Sequence, residues 1–386
     1  MTASRRNFLA RAAGAGLAGL AANSATATAA EQAAPLPRCT EAVSLDGEWL
    51  FRLDPEGQGE ASGWQQPGAP DDGWRVVMVP HTWQIEAASA GYFGAGWYRR
   101  ALEIPAAWAG RRLRVEFEAV FHSAWVWVNG KPAGEHIGKG YTAFCLDITA
   151  LVKPGGENTI VVRADNSFSE TMLPRGRSSD WTHDGGVYRP VNLLVTPPVF
   201  VARVDVDAVP NLEAGSAELE VTVFVHNQSG KVWQGAIGCQ VTDKRTGLTA
   251  LTHEAATSLS LGAGEQRPVK LGPLKMAAAR WWSFDDPQLY ELTATIGGAE
   301  PHSFRTTFGV RQFEVRAGAF YLNGERVSLM GVERMAGSNP EFGMAEPDGW
   351  LIHDHDDMKE LNCVFTRGHW PPTRPSCATG WSICGR

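Results

Sequence analysis

The sequence predicts a mainly β protein in which two β-sandwich units are followed by the beginning of an α/β unit. Three observations support this prediction. From about residue 40 to residue 309, short runs alternate apolar and polar side chains with a period of two, as half-buried strands do. Asn-Gly pairs at residues 129–130 and 323–324 favour two-residue hairpin turns. After residue 310 the pattern changes to strand, helix and strand, which is typical of a parallel α/β structure.

Length and composition limit the class of protein. The chain has 386 residues, too many for one ordinary hydrophobic core, and this indicates two or three domains. Hydrophobic residues make up 44% and charged residues 20%, which is the composition of a globular protein rather than a disordered one. The formal net charge of −7 offers no basic surface, so no nucleic-acid partner is expected.

Residues 1–30 have the pattern of an export signal rather than of a folded segment. A basic start precedes a mildly apolar Ala/Gly run and small residues spaced for cleavage near Ala27 or Ala29. The stretch SRRNFL at residues 4–9 resembles a bacterial twin-arginine signal, which exports folded proteins. The apolar run is too short and too weak to anchor the chain securely in a membrane. We therefore expect a periplasmic or secreted protein with no membrane attachment after signal removal.

The first β unit is expected over residues 31–198. Its strand-like runs, separated by turn residues, include RRLRVEFEAVF, AWVWVNG, NTIVVRADN and VNLLVTP. Many short alternating runs in succession favour a sandwich or a jelly roll. The proline-containing stretch TPPVFVARVDV marks the junction with the next unit.

A second, smaller β unit is expected over residues 199–309. The runs AELEVTVFVHNQ, GAIGCQVTDK, LYELTATI and HSFRTTFGV have the spacing of strands in a sandwich, with polar turns between them. An immunoglobulin-like domain of about a hundred residues fits this length.

Residues 310–386 carry the α/β pattern. A hairpin in AFYLNGERVSLMGVERM leads into a buried strand, and CVFTRGHW has the pattern of a second one. Between them, DGWLIHDHDDMKELN predicts an amphipathic helix with Leu351, Met358 and Leu361 on its buried face. Strand, helix and strand begin a (β/α)8 barrel, which needs about 250 residues. The sequence therefore predicts an incomplete start of such a barrel.

The order of these parts and their motifs resembles glycoside hydrolase family 2, which includes β-galactosidases, β-glucuronidases and β-mannosidases. The resemblance covers nearly all of residues 43–371. The stretches LDGEWLFRLDP, VPHTW, GWYRR, VWVNGKPAGEHIGKGYTAFCLDIT and DWTHDGGVYRPV look, in that order, like the jelly-roll sugar-binding domain of the family. WWSFDDPQLYELTATI resembles the end of its immunoglobulin-like domain. FGVRQFEVRAGAFYLNGERVSLMGVERM looks like the entry to its TIM barrel.

The resemblance implies an O-glycosyl hydrolase, β-galactosidase-like, that removes terminal β-linked sugars with retention of configuration. It implies a carbohydrate substrate and leaves open whether the chain forms a homo-oligomer. The sugar is also open among galactose, glucuronate and mannose, because loops and barrel residues distinguish them.

Asp180 is the first candidate substrate-binding residue, because the family has a sugar-contacting aspartate just before the stretch GGVYR at residues 185–189. A loop carboxylate can accept two hydroxyl hydrogen bonds and so fix the orientation of a sugar ring. The alternative is that Asp180 caps a turn. Tyr188 and Arg189 are expected to support the domain fold.

Arg367 and His369 match an arginine and a histidine that the family places after its second barrel strand. Residues at the carboxyl ends of barrel strands face the active site, so their position favours substrate binding. A structural pairing of the two is the alternative. Glu333 ends the first barrel strand where the family commonly has asparagine, and we do not assign it as catalytic.

No metal site or required cofactor is assigned. The stretch HDHDDMK at residues 353–359 crowds histidines and aspartates, and His353 and Asp357 are spaced to share a helix face. The solvated start of an amphipathic helix explains the same residues without a metal. The six cysteines contain no C-x-x-C pair, which argues against a cysteine zinc site. Some relatives bind magnesium or sodium, but those ligands match no residues here.

Retaining hydrolysis needs two carboxyl groups about 5–5.5 Å apart, and the family supplies glutamates from later barrel strands. The chain ends before such strands, and PTRPSCATGWSICGR at residues 372–386 has no helical period. We therefore expect the catalytic pair to be absent, with a reading-frame change or an artificial end after Pro371.

Three hypotheses follow from the sequence. The chain is an incomplete family 2 enzyme, or a non-catalytic carbohydrate-binding remnant that holds sugar through Asp180 and nearby aromatic residues. The third hypothesis is an unstable pseudogene product with no function. A downstream reading frame that encodes two strand-end glutamates would support the first hypothesis. Sugar affinity without turnover would support the second, and loss of cooperative unfolding with rapid proteolysis the third.

Overall fold

The computed structural model describes residues 38–177 and 181–368 of the chain. In chain order, the first eleven strands are β1 Arg38–Cys39, β2 Glu41–Ser44, β3 Gly47–Asp54, β4 Arg75–Val79, β5 Ala95–Ala101, β6 Arg112–Phe117, β7 Ser123–Val128, β8 Lys131–His136, β9 Phe144–Asp147, β10 Thr159–Asp165 and β11 Val191–Thr196. Two 3-10 helices lie among them, at Trp83–Ile85 and Ala106–Trp108.

The first domain is a sandwich of two antiparallel sheets. A six-stranded sheet has the order β4-β3-β5-β10-β7-β8, and a four-stranded sheet has the order β2-β11-β6-β9. Successive side chains along each strand point alternately to the two faces of the sheet. In β7, Val126 and Val128 enter the core between the sheets, whereas Trp125 and Trp127 lie on the outer face. The predicted two-layer β architecture is confirmed.

The predicted Asn-Gly hairpins are also confirmed. Asn129 and Gly130 join β7 to β8 with φ angles of 53° and 76°. A two-residue turn of this kind requires positive φ at both positions, which asparagine and glycine tolerate best. Asn323 and Gly324, with φ of 50° and 84°, join the second hairpin, between residues 322 and 325.

The second domain is a smaller sandwich. Its strands are β12 Val199–Asn211, β13 Ser216–Asn227, β14 Trp233–Asp243, β15 Thr249–Leu261, β16 Gln266–Met276, β17 Tyr290–Ile296 and β18 His302–Phe308. One sheet has the order β1-β18-β17-β14-β15 and the other β12-β13-β16. Thus β1, at the beginning of the described chain, pairs in parallel with β18 of this second domain. The domain has a hydrophobic core of its own, separate from that of the first domain.

The remaining described elements are β19 Phe313–Arg316, β20 Ala319–Leu322, β21 Glu325–Val327, β22 Gly331–Arg334, α1 Asp348–Glu360 and β23 Phe365–Gly368. Strands β19–β21 form a meander, and β22 and β23 pair in parallel across the helix connection. The predicted strand–helix–strand order is therefore present, and we refer to β22, α1 and β23 as the α/β unit.

The helix differs from the prediction at its end. Leu351 and Met358 are half-buried as expected, but Leu361 is 71% exposed. The α-helix stops at Glu360 and Leu361 is its C-cap residue, with its N–H still bonded to the Asp357 carbonyl at 3.0 Å; its side chain nevertheless lies toward solvent. The expectation that Leu361 is buried was wrong.

Within the described residues, the one α-helix is too short and too polar to cross a membrane.

Candidate functional site

Of the three site residues predicted from the sequence, only one lies in the described part of the structure. Asp180 and His369 lie outside the described residues, whereas Arg367 lies on β23. The described chain resumes at Trp181, directly after Asp180. We call residues 181–189 the DGG loop, and its surroundings are the described part of the candidate site.

Two glycines allow the DGG loop to lie against the first domain. A Cβ atom on Gly185 would approach the Trp83 ring to 2.1 Å. Gly186 has a φ of +142°, and a Cβ atom there would lie 2.2 Å from the backbone oxygen of His81. Neither position has room for a larger residue, because atoms cannot approach so closely. The two glycines thus allow the motif DGGVYR to pack against the motif VPHTW.

Hydrogen bonds fix the same loop. The Gly185 N–H donates to the Gln84 side-chain oxygen at 2.7 Å. Asn166, which is fully buried, donates from Nδ2 to the His183 carbonyl at 2.7 Å and accepts from the Gly94 N–H at 2.9 Å. The Tyr188 hydroxyl donates to the Gly140 carbonyl at 2.8 Å, in agreement with the supporting role expected for Tyr188.

Aromatic and histidine side chains surround the beginning of the DGG loop. The ring of His183 lies 4.8 Å from that of Phe168 and 6.2 Å from that of Phe121. Trp181 meets Tyr141 edge to face, with the ring centroids 6.1 Å apart. Burial lowers the pKa of His183, so its imidazole is neutral near pH 7. A neutral imidazole has one N–H donor and one acceptor nitrogen and adds no net charge at this place.

A segment of the α/β unit docks against this loop. Residues 335–347 connect β22 to α1, and we call them the docking segment. Met344 is buried in one cluster with residues of the first domain, namely Ala119, Phe121, Tyr141, Met172, Trp181 and Tyr188. Gly337 and Gly343, both with positive φ, bring the backbone of the segment close to Thr182 and Asp184 respectively. The chain after β22 thus lies beside the position that follows Asp180.

Asp184 makes the polar link between the two parts. Its Oδ2 accepts the Met344 backbone N–H at 3.0 Å, and the residue is 6% exposed. Burial raises the pKa of Asp184 to about 6, although the hydrogen bond from Met344 opposes this rise. A raised carboxyl pKa in a buried position is expected when few donors replace the lost water.

A cavity of about 300 Å³ lies on another side of the docking segment. Arg75, His81 and Glu86 of the first domain line one wall, and Glu341 and Phe342 line the other. His81 Nδ1 lies 2.8 Å from the Tyr98 hydroxyl, and its Nε2 lies 3.2 Å from Glu86 Oε1. Burial lowers the pKa of His81, against the hydrogen bond to Glu86.

A largely buried ion-pair cluster holds the α/β unit together. Arg334, at the end of β22, lies 3.1 Å from Glu346 of the docking segment and 2.7 Å from Asp354 of α1. Burial raises the pKa of Glu346, while the Arg334 charge opposes the rise. Both carboxyl groups are therefore engaged in orienting the strand, the segment and the helix relative to one another.

Arg367 lies beside Glu333 rather than in this buried cluster. The two residues are register partners in the parallel pair of β22 and β23, and their side chains form an ion pair. The Arg367 side chain is 57% exposed and that of Glu333 39%. Because the strands are parallel, both residues lie at the same carboxyl edge, where a barrel presents substrate-binding residues.

The stretch HDHDDMK divides between two environments. Asp354 pairs with Arg334, whereas the His353 Nδ1 lies 3.6 Å from Asp357 Oδ2 on the exposed face, and the His353 ring stacks on Trp350 at 5.1 Å. Among residues 38–177 and 181–368, no group of three or more histidine, cysteine or acidic side chains has the arrangement of a metal site.

Sequence reasoning missed Asp184 and the docking segment. Asp184 stands inside the quoted motif DWTHDGGVYRPV, four residues after Asp180, but its partner Met344 is 160 residues away along the chain. The two glycines after Asp184 were the available signal, since paired glycines indicate close backbone approach.

Two family models match consecutive parts of this architecture. The model of the sugar-binding domain of glycosyl hydrolases family 2 matches residues 42–197, and a second model of glycosyl hydrolases family 2 matches residues 199–311. The chain belongs to glycosyl hydrolase family 2. The resemblance inferred from the sequence motifs is thereby confirmed.

Similar proteins carry β-glucuronidase and β-galactosidase names. A β-glucuronidase of Bacteroides fragilis is 31% identical over 342 residues, which cover 85% of this chain and 46% of that protein. A β-galactosidase of Thermoanaerobacter pseudethanolicus is 29% identical over 313 residues, or 78% of this chain and 40% of that protein. The crystal structure of a Bacteroides uniformis β-glucuronidase matches with a TM-score of 0.77 and 26% identity, covering 86% of this chain and 40% of that one. The chain thus spans less than half the length of these relatives.

Proposed function

We propose that the described residues form the sugar-binding part of a glycoside hydrolase that removes terminal β-linked sugars with retention. The single observation that supports this most is the docking of the α/β unit on the DGG loop through Asp184 and Met344. This contact holds the carboxyl edge of β22 close to the loop that follows Asp180. A sugar bound at that loop would therefore lie close to the edge at which barrel strands carry their reacting groups.

We further propose that Asp180 accepts hydroxyl hydrogen bonds from the sugar, with Arg367 and His369 at the edge of the site. The half-buried ring of Phe168 supports this assignment, because the C–H face of a pyranose packs well on an aromatic ring.

The two reacting carboxyl groups are proposed to lie elsewhere than in the described residues. Glu346 and Asp354 share one partner, Arg334, and both are paired with it. Such a pair orients the fold and is not free to protonate a leaving group or attack an anomeric carbon. Glu333 is likewise paired, with Arg367.

A titration calorimetry experiment tests the sugar site. The chain from residue 31 would be titrated with methyl β-galactoside, methyl β-glucuronide and methyl β-mannoside. We expect one of these sugars to bind and Asp180→Ala to weaken its affinity at least about tenfold, since a hydrogen bond to a charged group contributes about 1.5–3 kcal/mol. Asp72→Ala, at an exposed loop of the same domain, is the matched control and should bind as the parent chain does. Equal affinity of the Asp180→Ala and parent chains would overturn the assignment.

A second candidate function is a carbohydrate-binding protein without turnover. It is favoured by the separate cores of the two β domains, since each domain can bury its own apolar residues. Sugar binding by a folded chain that hydrolyses none of the corresponding aryl glycosides is the outcome expected for this function.

Export is part of the proposal, on the twin-arginine pattern of residues 4–9. Residues 1–37 lie outside the described residues. Fusion of residues 1–30 to a reporter should direct it out of the cytoplasm, and replacing Arg5 and Arg6 by lysine should keep it inside. A reporter that stays cytoplasmic with both arginines present would reject export.

A further inference from the structure

A row of hydrogen-bonded side chains leads from the cavity of about 300 Å³ beside the docking segment to the DGG loop. Arg75 of β4, whose side chain is 46% exposed, pairs with Glu86, and Glu86 Oε1 lies 3.2 Å from His81 Nε2. The other ring nitrogen of His81, Nδ1, lies 2.8 Å from the hydroxyl of Tyr98, which is fully buried. We call these four side chains the relay.

The protonation states of the relay fix the direction of its hydrogen bonds. Burial raises the pKa of Glu86, but hydrogen bonds from Arg75 and His81 outweigh burial and hold that pKa below its usual range, so Glu86 is a carboxylate. A carboxylate only accepts hydrogen bonds, so His81 donates from Nε2 and its Nδ1 is an acceptor. Burial raises the pKa of Tyr98 well above its usual range, and its hydroxyl donates to that Nδ1. The relay therefore requires a neutral His81.

The tyrosine end of the relay lies against the DGG loop. A Cβ atom on Gly186 would lie 2.7 Å from the Tyr98 hydroxyl oxygen, and the Val187 backbone is a further hydrogen-bond partner of that hydroxyl. The His81 backbone supports the same stretch, because its N–H donates to the Val187 carbonyl at 2.7 Å. His81 and Tyr98 are thus placed to fix the loop that follows Asp180.

Protonation of His81 removes one bond of the relay. An imidazolium donates from both ring nitrogens, so Nδ1 can no longer accept the Tyr98 O–H. Burial lowers the pKa of His81, the hydrogen bond to Glu86 raises it, and the charge of Arg75 lowers it. Within the described residues, the charged and titratable side chains that face the ring are Arg75, Glu86 and Tyr98 and, across the cavity, Glu341.

We propose that His81 and Tyr98 are positioning residues for the sugar site, which act through the DGG loop without touching the sugar. Neutral His81 holds the Tyr98 hydroxyl against Gly186 and Val187. Protonated His81 releases that hydroxyl, and the sugar then binds more weakly. This inference rests on the proposed sugar site at the DGG loop.

The test follows sugar affinity by calorimetry from pH 5 to pH 7.5, with the chain from residue 31. The probe is whichever of methyl β-galactoside, methyl β-glucuronide and methyl β-mannoside the parent chain binds. We expect the affinity to fall about fivefold toward pH 5, with a midpoint below 6.5, because one hydrogen bond of the relay is lost.

Two substitutions should move this midpoint in opposite directions. Glu86→Gln removes the charge that raises the pKa of His81, so the midpoint should move to lower pH. Arg75→Gln removes the charge that lowers this pKa, so the midpoint should move to higher pH. Asp184 and His183 are present in all of these chains, so a shift between them is due to His81. A merely structural contact would not give opposite shifts.

Tyr98→Phe removes only the hydroxyl at the end of the relay. It should weaken the affinity at pH 7.5 about fivefold, and the pH dependence that remains should be the same with and without Glu86→Gln. Tyr92→Phe is the matched control, because the Tyr92 hydroxyl donates to the Ala95 carbonyl at 2.9 Å and is not part of the relay. Its affinity and midpoint should equal those of the parent.

Hydrogen exchange at the Gly186 amide provides a readout that needs no sugar, since this N–H donates to the Phe121 carbonyl at 3.1 Å. At pH 7.5 its protection should fall about fivefold in Tyr98→Phe and stay unchanged in Tyr92→Phe. Unchanged protection in Tyr98→Phe, or affinities that the relay variants do not move while Asp180→Ala still weakens binding, would overturn the positioning role and leave the sugar site standing. Binding of none of the three sugars by the parent chain would overturn both.

Discussion

Asp184 of the first β domain accepts the backbone N–H of Met344, which lies 160 residues later in the chain, at 3.0 Å. The link joins the DGG loop to the docking segment and is buried from solvent. It provides the polar component of a contact whose apolar component is the packing of Met344 among first-domain residues such as Trp181.

Removing the acceptor should loosen the docking segment. In Asp184→Ala the Met344 N–H loses its partner in a buried position, which costs about 1–3 kcal/mol. Hydrogen exchange at the Met344 amide should therefore be at least about fivefold faster than in the parent chain. Asp184→Asn retains an acceptor oxygen and is the matched control, with exchange close to that of the parent. Equal exchange rates in the parent and Asp184→Ala would contradict the role of this contact.

The same carboxyl group should make stability depend on pH. The pKa of Asp184 is raised to about 6 in the folded protein, against 3.8 for an unperturbed aspartate, because the group is buried. Its contribution to stability is therefore full below about pH 4 and is lost as pH rises through 6. The two values differ by about two units, or about 3 kcal/mol at most.

Urea unfolding of the parent and of Asp184→Asn at pH 4, 5, 6 and 7 measures this effect. Asparagine does not titrate, so the stability of the variant relative to the parent should rise by up to about 3 kcal/mol across this range. A difference that is independent of pH would show that Asp184 is not the titrating group.

The glycines of the DGG loop should tolerate no side chain. Gly185→Ala places a methyl group 2.1 Å from the Trp83 ring, and Gly186→Ala places one 2.2 Å from the His81 backbone oxygen at a positive φ. Each change should lower the free energy of unfolding by about 1–3 kcal/mol. Gly91→Ala is the control, because Gly91 has open space around its Cα, and its melting temperature should match that of the parent. Wild-type stability in both loop variants would mean that the loop is free to move away from Trp83 and His81.

Arg334 and Arg367 should differ strongly in their contributions to the stability of the α/β unit. Arg334→Met leaves the buried Glu346 and the half-buried Asp354 without their cation, which should cost no more than about 3–5 kcal/mol, the value for a fully buried pair. Arg367→Ala removes an exposed partner of Glu333 and should cost no more than about 1 kcal/mol. Hydrogen exchange of the α1 amides measures the loss of stability in each variant. Comparable protection in the two variants would show that the Arg334 cluster is not the main support of the helix.

Structural features that depend on residues close together in the chain could be predicted from the sequence. The turn at Asn129 and Gly130 follows from the positive φ that these two residue types accept, and the alternation of β13 places Leu219, Val221 and Val223 in the second-domain core. The helix was predicted from apolar spacing and lies at Asp348–Glu360. The burial of Leu361 was wrongly predicted, because burial depends on which residues pack over that end of the helix and not on periodicity alone.

Long-range contacts were not accessible to the same reasoning. Nothing in the local pattern of Arg38–Cys39 indicates that β1 pairs with β18 of the second domain. The partner of Asp184 is a backbone N–H, which has no sequence signature at all. The pairing of Arg334 with two acidic residues likewise depends on how the connection between β22 and α1 folds back.

Sugar binding by residues that do not themselves perform hydrolysis is the central property proposed for this chain. The most direct measurement is turnover of aryl β-galactoside, β-glucuronide and β-mannoside by the chain from residue 31, with cooperative unfolding recorded on the same sample. We predict a folded chain that binds one of the sugars and releases no aryl alcohol above buffer. Hydrolysis that depends on Glu333, Glu346 or Asp354 would contradict the account, because each of these carboxyl groups is paired with an arginine in the structure.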